Sequence, residues 1–397
     1  MKLPLITVVA LGFLPAPARA ANERTVMVAN TAELRQALAK AKPGTTIRIA
    51  AGTYTGGLFS QTLQGEPGKP IVLTAADPEH PPVIEGGTGA LHLSSPAYVE
   101  IRHLVITKAT GNGLNIDDGG SMSHPAHHLI LQGLIVRDIG PQGNRDGIKL
   151  SGVNDFQIEN CTIERWGSGG SGIDMVGCHQ GKIVNCTFRH EGKLEASGVQ
   201  TKGGSRDILV QRCRFEHAGG RAVNVGGSTG LAYFRPEAPG YEAKDITVED
   251  CTFIGSQAPI AFVGVDGAVV RHNTFYRPMR WALRILQETR EPGFVASRGG
   301  RFTDNLIAYR AGEMGQPVNI GPNTSPESFV IARNAWYCLD DSARSRPKLP
   351  IEEVDGVYGT EPQFQDVEKG DFRLRPESRL DRFGVRADLE RSENRTP

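Results

Sequence analysis

The sequence predicts an all-β fold in which short strands stack coil upon coil, and three observations predict it. One phrase recurs, as "ENCTIER", "VNCTFRH", "QRCRFEH" and "EDCTFIG", and sets Cys161, Cys186, Cys213 and Cys251 in register. It continues with asparagine in the cysteine slot, as "RHNTFYR", "TDNLIAY" and "ARNAWYC", at Asn273, Asn305 and Asn334. Steps of 25 residues (161 to 186) and 27 (186 to 213) are too long for a hairpin, and a fixed period of that size marks stacked repeats. Each repeat also carries a second short strand ending in glycine or a polar residue, among them "GIKLSG", "GIDMVG", "GVQTKGG" and "AVNVGG". No helical pattern separates these strands, so βαβ units are excluded. A right-handed, single-stranded parallel β-helix with three short strands per coil satisfies all three observations.

The elements follow in chain order. Residues 1–20, "MKLPLITVVALGFLPAPARA", combine a positive start, an apolar run too short to span a bilayer and a small-residue site at Ala18-Arg19-Ala20. They read as a signal peptide, which predicts export to the periplasm or the extracellular space. "TAELRQALAKAK" (31–42) reads as an amphipathic helix with Thr31 as N-cap, Glu33 in its first turn and Pro43-Gly44 as its stop. It would cap the open apolar end of the stack, as terminal repeats require. The β-helix domain is expected over 21–340. The longest step, from Cys213 to Cys251, holds an inserted loop at 226–245. Insertions in solenoids project from one face, often the binding face. Residues 341–397 read as a tail folding back on the last coils, with a disordered end at "ERSENRTP".

Lys+Arg and Asp+Glu both total 44, so the net charge is zero, which argues against nucleic acid or an anionic membrane as partner. No stretch after the leader is apolar enough for a transmembrane helix, and a monomer is expected. Cysteines one coil apart, about 4.8 Å, run parallel rather than facing, which suits a column of reduced thiols better than disulfides. Cys178 and Cys338 lie off that column.

Alternation places Ile148/Leu150, Ile173/Met175, Val199/Thr201, Val223/Val225 and Ile260/Phe262 inside. Their neighbours then form an outward column of Asn115, Lys149, Asp174, Gln200, Asn224, Ala261, Arg284 and Asn319. A second outward position, two residues on, holds Asp117, Ser151, Val176, Lys202, Gly226 and Val263. Lys149, Asp174, Gln200, Lys202 and Asn224 therefore share a patch about 15 Å long. The inserted loop would rise beside it with Tyr233, Phe234, Arg235, Tyr241 and Glu242. An elongated polar floor with an aromatic wall suits a carbohydrate chain, and Lys149, Asp174, Gln200, Asn224, Tyr233 and Arg284 are the candidate substrate contacts.

"ELRQALAKAKPGTTIRIAAGTYTGG…GKPIVLTAA" resembles the opening of the chondroitinase B and alginate lyase family of polysaccharide lyases. "SGVQTKGGSRDILVQRCRFEHAGG" is similar to that family's coil with its catalytic lysine. The resemblance implies a lyase that cleaves an acidic, uronate-containing polysaccharide by β-elimination, with Lys202 removing the proton α to the carboxylate. Arg221 or Arg235 would neutralise that carboxylate. The family's arginine aligns on Val225, and of its calcium-binding acidic pair Glu195 fits one position while Ser197 holds the other.

A different calcium site is offered by Asp117, Asp118, Asp146 and Asp174 on successive rungs, with Asp146 and Asp174 the candidate ligands. Asp146, in "NRDGI", is equally a turn residue. Turn histidines such as His179 and His217 read as solvated, and "HPAHH" (His124, His127, His128) lacks the spacing of a zinc site. Two other function classes fit the same face. One is a β-helix glycoside hydrolase, with Asp146 and Asp174 as its carboxylates, or a uronate C5-epimerase. The other is a non-catalytic glycan-binding or surface structural protein.

Overall fold

The computed structural model describes residues 24–386 apart from 194, 236 and 238. The expected signal peptide and the end of the tail lie outside the described residues. Three parallel sheets of 13, 12 and 10 strands run the length of the molecule, and successive coils give one strand to each. One coil, for example, contributes Val153–Glu159, Thr162–Glu164 and Ser171–Val176 in turn. Among the described residues no helix is long and apolar enough to cross a membrane.

The recurring phrase marks the corner between the 13-stranded and 12-stranded sheets. Its residue before the slot turns the chain at positive φ: Asn160, Asn185, Arg212, Asp250, His272, Asp304 and Arg333 all lie between +50° and +59°. That left-handed conformation costs a non-glycine residue about 1–2 kcal/mol. The slot residue then binds the coil before it. Cys161 Sγ donates to Glu159 O at 3.3 Å and Leu131 O at 3.6 Å. Asn305 Nδ2 donates to Val270 O (3.1 Å) and Asn334 Oδ1 (3.0 Å), while its Oδ1 accepts from Asn273 N at 3.0 Å. Cysteine and asparagine interchange here because each is small and each donates inward. All six cysteines are free and buried, and burial raises the Cys161 and Cys213 thiols well above the ordinary range. The column is thus a hydrogen-bonded ladder as well as packing.

Inside the 12-stranded sheet the same register stacks Phe188, Phe215, Phe253 and Phe275, with ring centres 4.7–4.9 Å apart. The alternating residues expected inside are all buried.

The capping helix spans Thr31–Lys40, shorter than the expected 31–42, and its N-cap is Asn30 rather than Thr31. Asn30 Oδ1 accepts from Glu33 N at 3.0 Å, and Glu33 Oε2 reaches back past the cap to Ala29 N at 2.8 Å, a variant of the capping box. Thr31 Oγ1 instead accepts from Thr55 N at 2.9 Å, tying the helix to the first coil. Lys42 precedes Pro43, which disfavours its helical conformation. Leu34, Ala37 and Leu38 are the residues it buries.

The tail returns much farther than the last coils. A small antiparallel pair, Phe364–Asp366 with Asp371–Leu374, lies on the outer face of the 12-stranded sheet, with Phe372 4.5 Å from the Tyr276 ring. Arg214 Nη1 donates to Gly370 O (2.9 Å), and Arg386 Nε pairs with Asp250 at 2.8 Å. Replacing Asn305 by alanine strands the buried Asn273 N–H donor and the Val270 carbonyl acceptor, and should cost about 2–4 kcal/mol, read from the denaturant midpoint. Asn305→Cys should recover part of the loss, and equal midpoints for the two variants would contradict the ladder.

Candidate functional site

The outward column forms on the 10-stranded sheet in the expected register. Asn115 pairs with Lys149, Lys149 with Asp174, Asp174 with Gln200, Gln200 with Asn224, Asn224 with Ala261, Ala261 with Arg284, and Arg284 with Asn319. Two further rungs precede it, Phe59 and His92, which sequence reading missed. The signal was present: "GLFS" and "ALHLS" share the strand pattern of later coils without the Cys/Asn phrase. Ten rungs span about 43 Å. At the Phe59 end the face hollows into a space of about 430 Å³ lined by Phe59, His92, Asn112, Asn115 and Arg145.

Midway along, four charged side chains converge. Asp174 and Asp146 are nearly sealed from solvent (side chains 1% and 3% exposed), while Lys149 and Lys202 above them keep 19% and 16% exposure. Lys149 Nζ binds Asp174 Oδ2 directly and stands 3.7 Å from Asp146 Oδ2. Lys202 Nζ lies 3.2 Å from Asp174 Oδ1, off the direction of a hydrogen bond. Asp146 Oδ1 accepts from Ser171 N at 2.8 Å, and Asn112 Oδ1 accepts from Asp146 N at 2.9 Å. Burial, and then the Asp174 carboxylate, push Asp146 up to about 6 against the pull of Lys149. Burial works against the charge on Lys149, but Asp174 and Asp146 outweigh it and hold Lys149 above the usual lysine value. The groove therefore meets two lysine side chains, with the carboxylates beneath them.

Beside this centre, Gln200 Oε1 accepts from Ser171 Oγ at 3.3 Å. Gly227 passes so close that a Cβ there would stand 2.5 Å from Gln200 Nε2. Asn224 Oδ1 accepts from Arg221 Nη1 at 3.3 Å, and Arg221 Nη2 pairs with Glu288 at 2.7 Å. Two rungs past Asn224, Arg284 Nε donates to Asn319 Oδ1 at 3.0 Å.

The inserted loop lies along the edge of the groove, but only part of it faces the groove. Phe234 is buried against Phe294, with ring centres 5.3 Å apart. Glu242 is fully buried and accepts from Gly203 N, Thr229 N and Thr229 Oγ1, each at 2.8 Å, and from Thr289 Oγ1. These bonds clamp the loop to the strand turns. Arg235 crosses Gly177, where a Cβ would come within 2.1 Å of the Arg235 Cβ, and pairs with buried Asp118 at 2.6 Å. It is thus committed to Asp118, apart from the lysine cluster. Tyr233 remains 67% exposed.

The acidic residues considered for calcium are each engaged. Asp117 takes His92 Nε2 (2.6 Å), Ser94 Oγ (2.8 Å) and Gly119 N (2.9 Å). Burial alone would raise Asp117, but those donors hold it down, to about 2. Asp118 holds Arg235, and Lys149 stands between Asp146 and Asp174 where a cation would sit. Among the described residues no three His, Cys, Asp or Glu side chains converge as a metal site. This donor set, already serving ammonium groups, does not suit a resident Ca²⁺. His179, expected at the surface, is buried with its Nε2 3.2 Å from Gly204 O, because the turn folds over it. His128 stacks on Tyr98 and His127 meets that ring edge-on, on the 13-stranded sheet and outside the groove.

A family model described as "Right handed beta helix region" matches residues 88–307. Pectate lyase Pel9A is similar in structure, with a TM-score of 0.56 at 13% identity over 90% of this chain and 91% of that one. An alginate lyase from Paenibacillus sp. str. FPU-7 is similar over 75% of this chain and 97% of that one, with a TM-score of 0.50 at 19% identity. At such identities the likeness is one of fold. No curated protein matches the sequence.

Asp146 supplies a pH test of the cluster. Its folded value, about 6, lies above the ordinary 3.8, so the folded state holds a proton that the unfolded chain releases between those values. Stability from this group is full below about pH 4 and is lost as pH rises through 6. Relative to wild type, Asp146→Asn should gain between pH 4 and 7 by at most about 3 kcal/mol. A difference in denaturation midpoints that stays flat with pH would rule out this assignment.

Proposed function

This chain belongs to the right-handed β-helix family, and on that scaffold we propose a carbohydrate-active enzyme: a polysaccharide lyase that cleaves a uronate-containing glycan by β-elimination. One observation carries the reading, the pair of lysines facing the middle of a long groove with their counter-charges buried beneath them. Elimination needs a base at C5, a positive charge for the carboxylate on which electrons accumulate, and a proton for the leaving oxygen. Lys149, tied to two carboxylates and held charged, suits the second role. Lys202, touching one oxygen of Asp174 off the hydrogen-bond direction, is the freer side chain and takes the first. In the neutral form its amine accepts the C5 proton. The C5–H electrons become the C4–C5 double bond, and the C4–O bond leaves with its own pair, to be protonated by Lys149 or water.

Gln200 and Asn224, on the next two rungs, would hold sugar hydroxyls, and Tyr233 offers a ring at the groove edge. Arg221 reaches the groove paired with Glu288, so it would add to the field around the carboxylate rather than supply a free charge. Arg235, bound to Asp118, would act on the loop's position instead of on the sugar. A hydrolytic role for Asp146 and Asp174 is disfavoured, because both carboxylates sit behind the lysines. Export, as the leader sequence predicts, would place the enzyme where such polymers occur.

Digests of alginate, polygalacturonate, dermatan, chondroitin and hyaluronan should yield unsaturated uronate ends from one of them, seen by ultraviolet absorbance. Lys202→Ala should lower that rate at least about 100-fold in a variant that is less stable but still folded at the assay temperature by circular dichroism. Saturated reducing ends would make the enzyme a hydrolase. C5 inversion without scission would make it an epimerase, and binding without turnover a glycan-binding protein. Any of the three would overturn the lyase.

A further inference from the structure

Along the groove, most cations are matched by a carboxylate. Lys149 and Lys202 share Asp174, Arg235 has Asp118 and Arg221 has Glu288. Arg284 breaks the pattern. Among the described residues its one hydrogen-bond acceptor is the neutral Asn319 side chain, and neither it nor Arg280 makes an ion pair. Both guanidinium groups stand over the Trp281 ring, at 4.3 Å (Arg284) and 4.2 Å (Arg280) from its centre. Trp281 is itself only 7% exposed, so the platform is rigid. Burial, and then Arg221, depress Arg284 below the usual arginine value; Glu288 pulls the other way and Arg280 adds to the depression. Glu288, paired with Arg221, acts on Arg284 only from beyond ion-pair distance, so a bound anion would be its first direct charged partner.

The place of this pair on the sheet sets what it can hold. Lys202 shares the rung of Gln200, and Arg284 lies three rungs on, past Asn224 and Ala261. That is about 14 Å, and a 1,4-linked pyranose advances a glycan by roughly one rung. We infer that Arg284, with Arg280 above Trp281, is a distal subsite for the carboxylate of a uronate about three units from the sugar at Lys202. The substrate is then an uninterrupted polyuronate. In an alternating uronate–hexosamine chain the unit at that position is the hexosamine, which offers no carboxylate. This rests on the groove being the glycan site proposed above.

Calorimetry with oligosaccharides of defined length tests the subsite without depending on turnover. Hexamers from alginate or polygalacturonate should bind wild type about tenfold more tightly than the corresponding dimer or an unsulfated hyaluronan hexasaccharide. Arg284→Gln should lose about that tenfold for the hexamer and nothing for the dimer. Arg280→Gln should lose part of it, with both variants keeping the wild-type melting temperature. In any turnover assay the loss should fall on KM rather than kcat. Equal hexamer affinity for wild type and Arg284→Gln, or no binding of any oligouronate, would overturn the subsite. So would equally tight, Arg284-dependent binding of a sulfated chondroitin hexasaccharide. If oligouronates bind with this dependence but no unsaturated ends ever form, the subsite stands and the lyase reading fails.

Discussion

The structure depends on one corner. In coil after coil a single residue at positive φ turns the chain from the 13-stranded to the 12-stranded sheet, and the next side chain donates hydrogen bonds to the coil before it. A left-handed residue is costly unless its neighbours over-determine it. Here the buried thiol or amide does so, since moving the corner would strand its donors. Once the corner is pinned, strand register follows, and with it every column of side chains inside and outside. The stacked phenylalanines and the ten-rung groove are two readings of the same register.

The groove is best understood as a problem in placing charge. Four ionisable groups meet at its centre, and burial sorts them into aspartates below and lysines above. A buried pair deprived of one partner is strongly destabilised, so the cluster holds its shape whether or not a sugar is present. That pre-organisation distinguishes it from the ordinary polar face of a β-helix. It also explains why acidic residues on neighbouring rungs do not amount to a calcium site, because groups of the protein already engage each carboxylate. The arginine pair over Trp281 departs from that matching.

How much could be read in advance depended on the periodicity. The outward column from Asn115 to Asn319 was legible because alternation and the Cys/Asn phrase both count rungs. Phe59 and His92 were overlooked because their coils lack the phrase, although their strands carry the same alternation. The inserted loop has no period at all. Nothing local announces that Phe234 and Glu242 turn inward, or that Arg235 closes on Asp118, 117 residues away in sequence. Asn30 displaced Thr31 as N-cap for a tertiary reason, since the threonine hydroxyl is held by the first coil.

The sequence by itself determined the architecture, the register and the membership of the polar column, because all three are periodic and a repeat unit meets only its neighbours. It could not determine which members of that column carry charge into the groove and which are neutralised beneath it. Lys149, Lys202, Arg221, Arg235 and Arg284 look alike as cations in the chain. Only the tertiary structure gives four of them carboxylate partners and leaves Arg284 with a neutral amide and an aromatic ring. Partners of that kind come from other coils, from a loop and from across a turn. Their distances are set by packing in three dimensions, which no spacing along the chain encodes.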